Sequence, residues 1–346
     1  MKKLVGIIGH FGYGKNLVNG QTIKTKIIAD ELSRFYGNGS VITIDTAKGI
    51  KGIVSLFFET RRLMKQCKNI IILPSYKGIV FFSFVLYFWR LFYKTKLHYV
   101  VIGGWLIEYM AKKPYLSFFL KKLDVIFTEN TIMAEKLKKR GFQKIIYLPN
   151  CKKITISNKK IQCLNKPYKL CIFSRISKIK GIDDAIKVIS EINTKANSII
   201  YLLDIYGPVE SSFNEEFFHS VKRNEKYVSY NGIAKYGEAS KILSRYDFLL
   251  FPTKYLGEGI PGTIIDAYAA GTPVIFSKWE HWQDILIDGK TGIGYEFGKV
   301  DKLRNVLWDL KIDLEEYRKM SSRCICEAKK YHSEFVLKKL INELNN

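Results

Sequence analysis

The feature that most restricts this chain is a repeating alternation. Short apolar runs rich in Val, Ile and aromatic residues recur along it, and stretches of helical period lie between them. Antiparallel strands need only a two-residue turn, so a helix-length connection marks β-α units and a parallel sheet. In residues 1–150 the predicted strands are 4–8, 41–45, 70–74, 99–104, 125–130 and 145–150, with helices that include 22–35, 78–93 and 131–140. Residues 151–167 break the rhythm, being polar, aperiodic and close to Pro167 at their end. It restarts with strands at 169–175, 199–207, 227–232, 248–253 and 273–277, and helices at 181–193, 236–246, 261–270 and 301–311. The stretch 312–346 is helical and charged, with no predicted strand.

Two doubly wound, Rossmann-like α/β domains are therefore expected. They span 1–152 and 168–311, with 153–167 as linker and 312–346 as helices packing back towards the first domain. The length of 346 residues agrees, since single cores rarely grow past about 250–300 residues. Ligands of such sheets lie beyond the carboxyl ends of the strands. Two sheets facing each other imply a cleft.

Charge is unevenly spread. Lys and Arg number 56 against 32 Asp and Glu, a net +24, and residues 1–150 hold 25 basic and 8 acidic side chains against 31 and 24 in the rest. The basic half calls for an anionic partner: nucleic acid, an anionic membrane face or a phosphorylated substrate. Its clusters are Arg61, Arg62, Lys65 and Lys68; Lys112 and Lys113; Lys121 and Lys122; and Lys136, Lys138, Lys139 and Arg140, interleaved with Tyr115, Phe118 and Phe119. Six scattered cysteines without histidines at ligand spacing read as reduced cytosolic thiols. No export signal is expected at the start. The longest apolar run, Ile79 to Trp89, is too short for the roughly 20 residues of a membrane span, and the helix at 78–93, apolar on nearly all faces, reads by default as a core helix, with a membrane-facing helix as the alternative.

Two loops carry chemistry. "GHFGYGKN" at 9–16 has the Gly-x4-Gly-Lys of a P-loop, but Asn16 replaces the Ser or Thr that would hold magnesium and "VITID" offers only a lone Asp45 as partner. A glycine-rich loop whose amides approach an anion is the better reading, with Gly12, Gly14 and Gly20 giving access. In "FPTKYLGEGIPGTIIDAYAAGTPVIFS" at 251–277, a loop with Glu258 precedes Pro261 at the expected first helical position. No capping side chain stands before Pro261, so the amides of Gly262 and Thr263 and the positive helix end suit a phosphate or sugar oxygen.

These residues resemble the family-four retaining glycosyltransferases of GT-B fold, whose E-x7-E followed by A-x-A-x-G-x-P-V-I reads here as Glu258, Asp266 and "AYAAGTPVI". "FSRISKIKGIDDAI" resembles the segment that contacts the donor pyrophosphate, which implies roles for Arg175 and Lys180. "DIYGPVE" and "VSYNG" match strand ends at Gly207 and Gly232, and "YLPNC" resembles the end of the first domain. The resemblance implies Glu258, Arg175 and Lys180 as catalytic, and Asp266, Gly12, Gly20, Gly207, Gly232, Gly259, Ile260, Gly262 and Thr263 as donor-binding. It departs from the family in three places. Asp266 is one methylene shorter than Glu, the Gly-Gly loop becomes "NGQT" around Gly20, and Gly103, Gly104 and Trp105 stand where many relatives have a histidine. His98 reads as structural.

What the resemblance implies is transfer of a hexosyl unit, with retention, from a nucleotide sugar, UDP favoured, to a polyprenyl-diphosphate-linked or glycan acceptor. Neither cofactor nor divalent metal is expected. The setting would be surface polysaccharide synthesis at the inner face of the cytoplasmic membrane. Two rivals stand beside it: a non-catalytic glycosyltransferase-like subunit and a polyanion-binding protein. The second leaves the carboxylate-bearing loop before an uncapped helix unexplained, and no nucleic-acid partner is expected.

Overall fold

Among the described residues every pairing between strands is parallel, as helix-length connections demand. The computed structural model describes residues 3–13, 20–48, 52–157, 159, 161–235 and 237–346. Gly14, Lys15 and Asn16 of the glycine-rich motif lie outside the described residues.

In the first half, β1 (Lys3–Gly9), α1 (Gly20–Tyr36), β2 (Val41–Asp45), α2 (Ile53–Gln66), β3 (Cys67–Leu73), α3 (Tyr76–Arg90), β4 (Lys96–Val100), α4 (Leu106–Lys112), α5 (Tyr115–Leu120), β5 (Val125–Thr128), α6 (Thr131–Lys139) and β6 (Ile145–Tyr147) follow one another. The sheet order is β2-β1-β3-β4-β5-β6. Side chains alternate across it: Val5, Ile7, Ile71 and Leu73 meet α1, while Ile8, Ile70 and Ile72 meet α2 and α3. Strands buried on both faces must be apolar throughout, which is why "NIIIL" in β3 has no polar alternation.

The second half runs β7 (Tyr168–Phe173), α7 (Ile182–Lys195), β8 (Tyr201–Tyr206), α8 (Asn214–Arg223), β9 (Val228–Tyr230), α9 (Ala239–Leu243), β10 (Phe248–Phe251), α10 (Gly262–Ala269), β11 (Val274–Lys278), β12 (Gly292–Glu296), α11 (Val300–Trp308), α12 (Leu314–Ala328) and α13 (Ser333–Asn345). Its sheet order is β12-β11-β10-β7-β8-β9. The order reverses between β1 and β3 in one sheet and between β7 and β10 in the other.

The chain divides into two units, and both are discontinuous. Met1–Lys153, Gly257–Ile260 and Tyr331–Asn346 form the first; Ile154–Leu256 and Pro261–Lys330 form the second. Of the stretch 312–346, α12 packs on α10 in the second unit and α13 on α1 in the first. Leu337, Leu340 and Leu344 of α13 enter the apolar cluster of Ile27, Ile28 and Leu32, and Asn69 Nδ2 donates to the Leu344 carbonyl at 3.0 Å.

Several expectations need correction. The strand expected at 99–104 ends at Val100, because Gly103 turns the backbone at φ +84. His98 sits inside that strand, buried, with Nε2 3.0 Å from Asn69 Oδ1, and burial lowers its pKa to about 4. Pro261 caps α10 in extended conformation, and the helix starts at Gly262. The sixth strand of the second sheet, β12, escapes the pattern because two of its residues are glycines. A Cβ on Gly292 would collide with the Val274 carbonyl, and one on Gly294 would lie 2.5 Å from Lys278 Cε. The linker is not purely solvated: Lys159 points into the second unit, where its Nζ is 2.8 Å from the Tyr317 hydroxyl. The helix expected at 78–93 buries Ile79, Phe82, Val85 and Leu86 but leaves Phe84, Leu91 and Phe92 exposed.

Candidate functional site

The reversal between β7 and β10 brings the loops after those strands together, as the doubly wound rule requires. Gly181, at φ +69, packs so closely on Pro252 that a Cβ there would overlap the Pro252 carbonyl. Lys254 N donates to the Ile179 carbonyl at 2.8 Å. The backbone on either side of Lys180 is thus seated on the end of β10. The Lys180 ammonium lies 5.3 Å from the Tyr255 ring centroid and 6.0 Å from that of Phe251, an aromatic seat that orients a cation.

Arg175 stands on the same loop, exposed. Its position is tied to two glycines. Gly207, at φ +137, leaves room for the Ser174 carbonyl that any side chain would overlap, and its amide donates to the Gly232 carbonyl at 2.9 Å. Space beside Gly232 is open, with nothing within 4 Å of a Cβ built there. Arg175, Gly207 and Gly232 therefore form one cluster at the carboxyl edge of the second sheet.

Two helix starts in this unit differ electrostatically. α7 begins with Asp183 and Asp184, and Lys254 bonds both, at 2.9 Å to Asp184 and 3.5 Å to Asp183. Burial works against the Lys254 charge, but these carboxylates outweigh it and raise its pKa. α10 has no acidic residue in its first turn and no side-chain cap. The Thr263 hydroxyl there is buried without a hydrogen-bond partner. A buried hydroxyl in that state costs stability, and beside a positive helix end it suits an anionic oxygen. Asp266 lies one turn further along α10, half-buried.

The remaining predicted residues belong to the first unit. Asp45 takes hydrogen bonds from the amides of Phe11 and Tyr13, both at 2.9 Å, and Gly12 between them adopts φ +62. Burial opposes the Asp45 charge, yet the amides of Ala47, Tyr13, Phe11 and Gly12 outweigh it and hold the carboxyl below the ordinary Asp range. Asp45 is thus an anchor for the glycine-rich loop. Gly20 is the exposed first residue of α1.

Glu258 is buried, 7% exposed, in the four-residue segment that groups with the first unit. Gly104 N donates to the Gly257 carbonyl at 3.0 Å, Ile260 N to Glu129 Oε1 at 2.9 Å and Asn150 Nδ2 to the Ile260 carbonyl at 2.9 Å. Gly259 has no room for a side chain, since a Cβ would sit 2.5 Å from Glu129 Oε1. Sequence reasoning missed Glu129 and its buried partner Lys24, 2.8 Å away. They are separated by 105 residues, and neither stands in a motif.

Two open grooves of about 610 and 640 Å³ lie at the amino ends of β3 to β6, lined in part by Arg90, Lys121, Lys122, Lys94 and Lys96. They hold none of the predicted site residues. No cluster of side chains suited to a metal ion occurs among the described residues. Burial pushes the Cys151 thiol up to about 12, which argues against a nucleophilic role there.

Residues 154–330 match the model of a family described as glycosyl transferases group 1. Among curated proteins, the UDP-N-acetylglucosamine–peptide N-acetylglucosaminyltransferase GtfA subunit of Streptococcus pneumoniae is 26% identical over 203 residues, 57% of this chain. The match spans only 38% of that relative's length. Among solved structures, sucrose-phosphate synthase from Thermosynechococcus elongatus superposes with a TM-score of 0.76 at 14% identity, over 98% of each chain. Anabaena HepE in complex with UDP and glucose gives 0.73 at 13% identity, over 99% of each chain. At such identities the likeness concerns the fold, which is the two-domain α/β arrangement called GT-B.

Proposed function

The chain belongs to the group 1 glycosyl transferases, and from that premise we propose that it transfers a hexosyl unit from a UDP-sugar, with retention, to a lipid-linked or oligosaccharide acceptor. The observation that carries the donor half is the start of α10: no cap, no acidic first turn and a buried Thr263 hydroxyl without a partner. In the same unit Lys180 is seated on Tyr255 and Phe251. A diphosphate supplies the oxygens that such a helix end attracts.

Transfer breaks the bond between the anomeric carbon and the diphosphate oxygen, so negative charge grows on the leaving group. Arg175 and Lys180 bring two cations to that oxygen cluster, and α10 adds its amides and dipole. Preorganised donors of this kind are worth on the order of 10²–10³ in rate. Glu258 accepts hydrogen bonds from hydroxyls of the transferred sugar, and Asp266 from the ribose. The reaction on this reading needs no divalent metal. The pneumococcal GtfA subunit is named for UDP-N-acetylglucosamine and HepE is seen in complex with UDP and glucose, which favours UDP over GDP.

For the acceptor, the exposed Phe84, Phe92, Tyr115 and Phe118 belong to the basic half, and Lys122 Nζ lies 5.4 Å from the Phe118 ring centroid. Each basic residue near an anionic leaflet contributes about 1 kcal/mol, enough in number for docking at the inner membrane face. No helix among the described residues is long and apolar enough to cross a membrane. The proposed setting is assembly of a surface polysaccharide on a polyprenyl diphosphate.

Calorimetric titration with UDP tests the donor site: wild type should bind, and Arg175→Ala and Lys180→Ala should bind weakly while unfolding at nearly the wild-type temperature. Equal affinity in all three proteins sinks the assignment. Product NMR decides the anomeric outcome, EDTA the metal requirement, and flotation with anionic vesicles the membrane half.

A further inference from the structure

The best-defined feature outside the predicted site is the Lys24–Glu129 pair. Both side chains are almost wholly buried, 1% and 4% exposed, with Nζ 2.8 Å from Oε2. Two charges removed from water are a poor way to stabilise a fold, because desolvation offsets most of their attraction. What distinguishes this pair is where Glu129 directs its other hydrogen bonds. Oε2 also accepts from Gly103 N at 3.1 Å, and Oε1 accepts from Ile260 N at 2.9 Å. Those amides belong to two loops far apart in sequence, and the same loops meet directly where Gly104 N donates to the Gly257 carbonyl. Glu258 stands between the two anchored residues, Gly257 and Ile260. The first of these loops is the one where Gly103 and Gly104 replace the histidine that sequence resemblance leads one to expect.

We propose that Lys24 and Glu129 are positioning residues for Glu258: the ammonium fixes the orientation of the Glu129 carboxylate, and that carboxylate holds the Ile260 amide and so the backbone that presents Glu258. The inference rests on the donor-site reading above for the role of Glu258 but not for the clamp itself. Its specific consequence is a division of effects. Loss of the clamp should disturb the sugar end of the donor and leave the nucleotide end, held by Arg175, Lys180 and α10, unaffected.

The test uses the full chain with the double variant Lys24→Met/Glu129→Gln, which removes both charges and leaves neither buried alone. Amide hydrogen exchange of the segment around 257–260 should speed up by about tenfold or more while the rest of the first unit is unchanged. UDP affinity should stay within about twofold, whereas UDP release from UDP-glucose or UDP-N-acetylglucosamine should fall by roughly 10²-fold, the scale on which small misplacements act. Adding Glu258→Gln should then cost at most about twofold more, since residues acting as a unit are not additive. Unchanged exchange in the segment, or losses that multiply with those of Glu258→Gln, overturns the proposal. Should the double variant fail to fold, Gly259→Ala, whose Cβ would sit 2.5 Å from Glu129 Oε1, pushes the loop off that carboxylate while both charges of the pair remain, and hydrogen exchange of the segment reads it in the same way. If wild type neither binds UDP nor turns over a UDP-sugar, the donor-site reading fails, and hydrogen exchange still decides the clamp.

Discussion

The amide of Gly207 donates to the carbonyl of Gly232 at 2.9 Å, tying the end of β8 to the end of β9 beside the loop that carries Arg175. The two glycines serve different physical needs. At Gly207 both the torsion and the space exclude a side chain; at Gly232, with φ +73, only the torsion does.

Gly207→Ala should therefore destabilise the second unit by about 2–4 kcal/mol through strain and collision with the Ser174 carbonyl, and abolish UDP binding. Gly232→Ala should cost about 1–2 kcal/mol. Urea unfolding of both variants checks the order, and equal losses would show that the collision is relieved elsewhere.

Thr263→Val replaces a buried hydroxyl that lacks a partner with a methyl of the same shape. The free protein should be as stable as wild type or slightly more so. UDP affinity should drop by about 1 kcal/mol or more, roughly fivefold. A variant that binds UDP as tightly as wild type would remove Thr263 from the donor site.

Lys159 gives a pH dependence with a defined sign. Burial lowers its pKa from 10.5 to about 8, with only partial compensation from Asp247 and Cys324. Between these values the unfolded chain holds the proton and the folded chain does not, so stability rises with pH, by at most about 1.4 kcal/mol per unit. The contribution is fully present above the unfolded value and lost as pH falls through about 8. The difference between wild type and Lys159→Met in urea unfolding at pH 7 to 10 isolates it; parallel curves would mean that Lys159 is not enclosed.

Asp45→Asn keeps one acceptor oxygen where two now serve Phe11 and Tyr13. Hydrogen exchange at those amides should accelerate. The pKa of Asp45 lies below its ordinary value, so its contribution is present above about pH 4 and lost as pH falls through the folded value. Identical exchange in the two proteins would mean that the loop is held by other contacts.

Removing Tyr331–Asn346 should unfold the first unit. Leu337, Leu340, Ile341 and Leu344 are buried against α1 and the sheet, and each contributes about 1.5–3 kcal/mol. Their combined loss is comparable with the whole stability of a domain, about 5–15 kcal/mol. A truncated chain with wild-type circular dichroism and melting would refute this.

The alternation of apolar runs with helical stretches already marks two parallel α/β sheets, and the uncapped α10, with Pro261 and Gly262 at its start, is equally visible, because strand period and capping are local properties of neighbouring residues. β12 hides because its glycines answer to Val274 and Phe276 across the sheet, a need no local pattern records. The return of α13 to the first unit was expected from the sequence, but long-range packing alone kept α12 in the second, assigned Gly257–Ile260 to the first, drew Lys159 into the second, and paired Lys24 with Glu129. These choices join residues tens to hundreds of positions apart, where burial and hydrogen-bond satisfaction act only after the chain has folded.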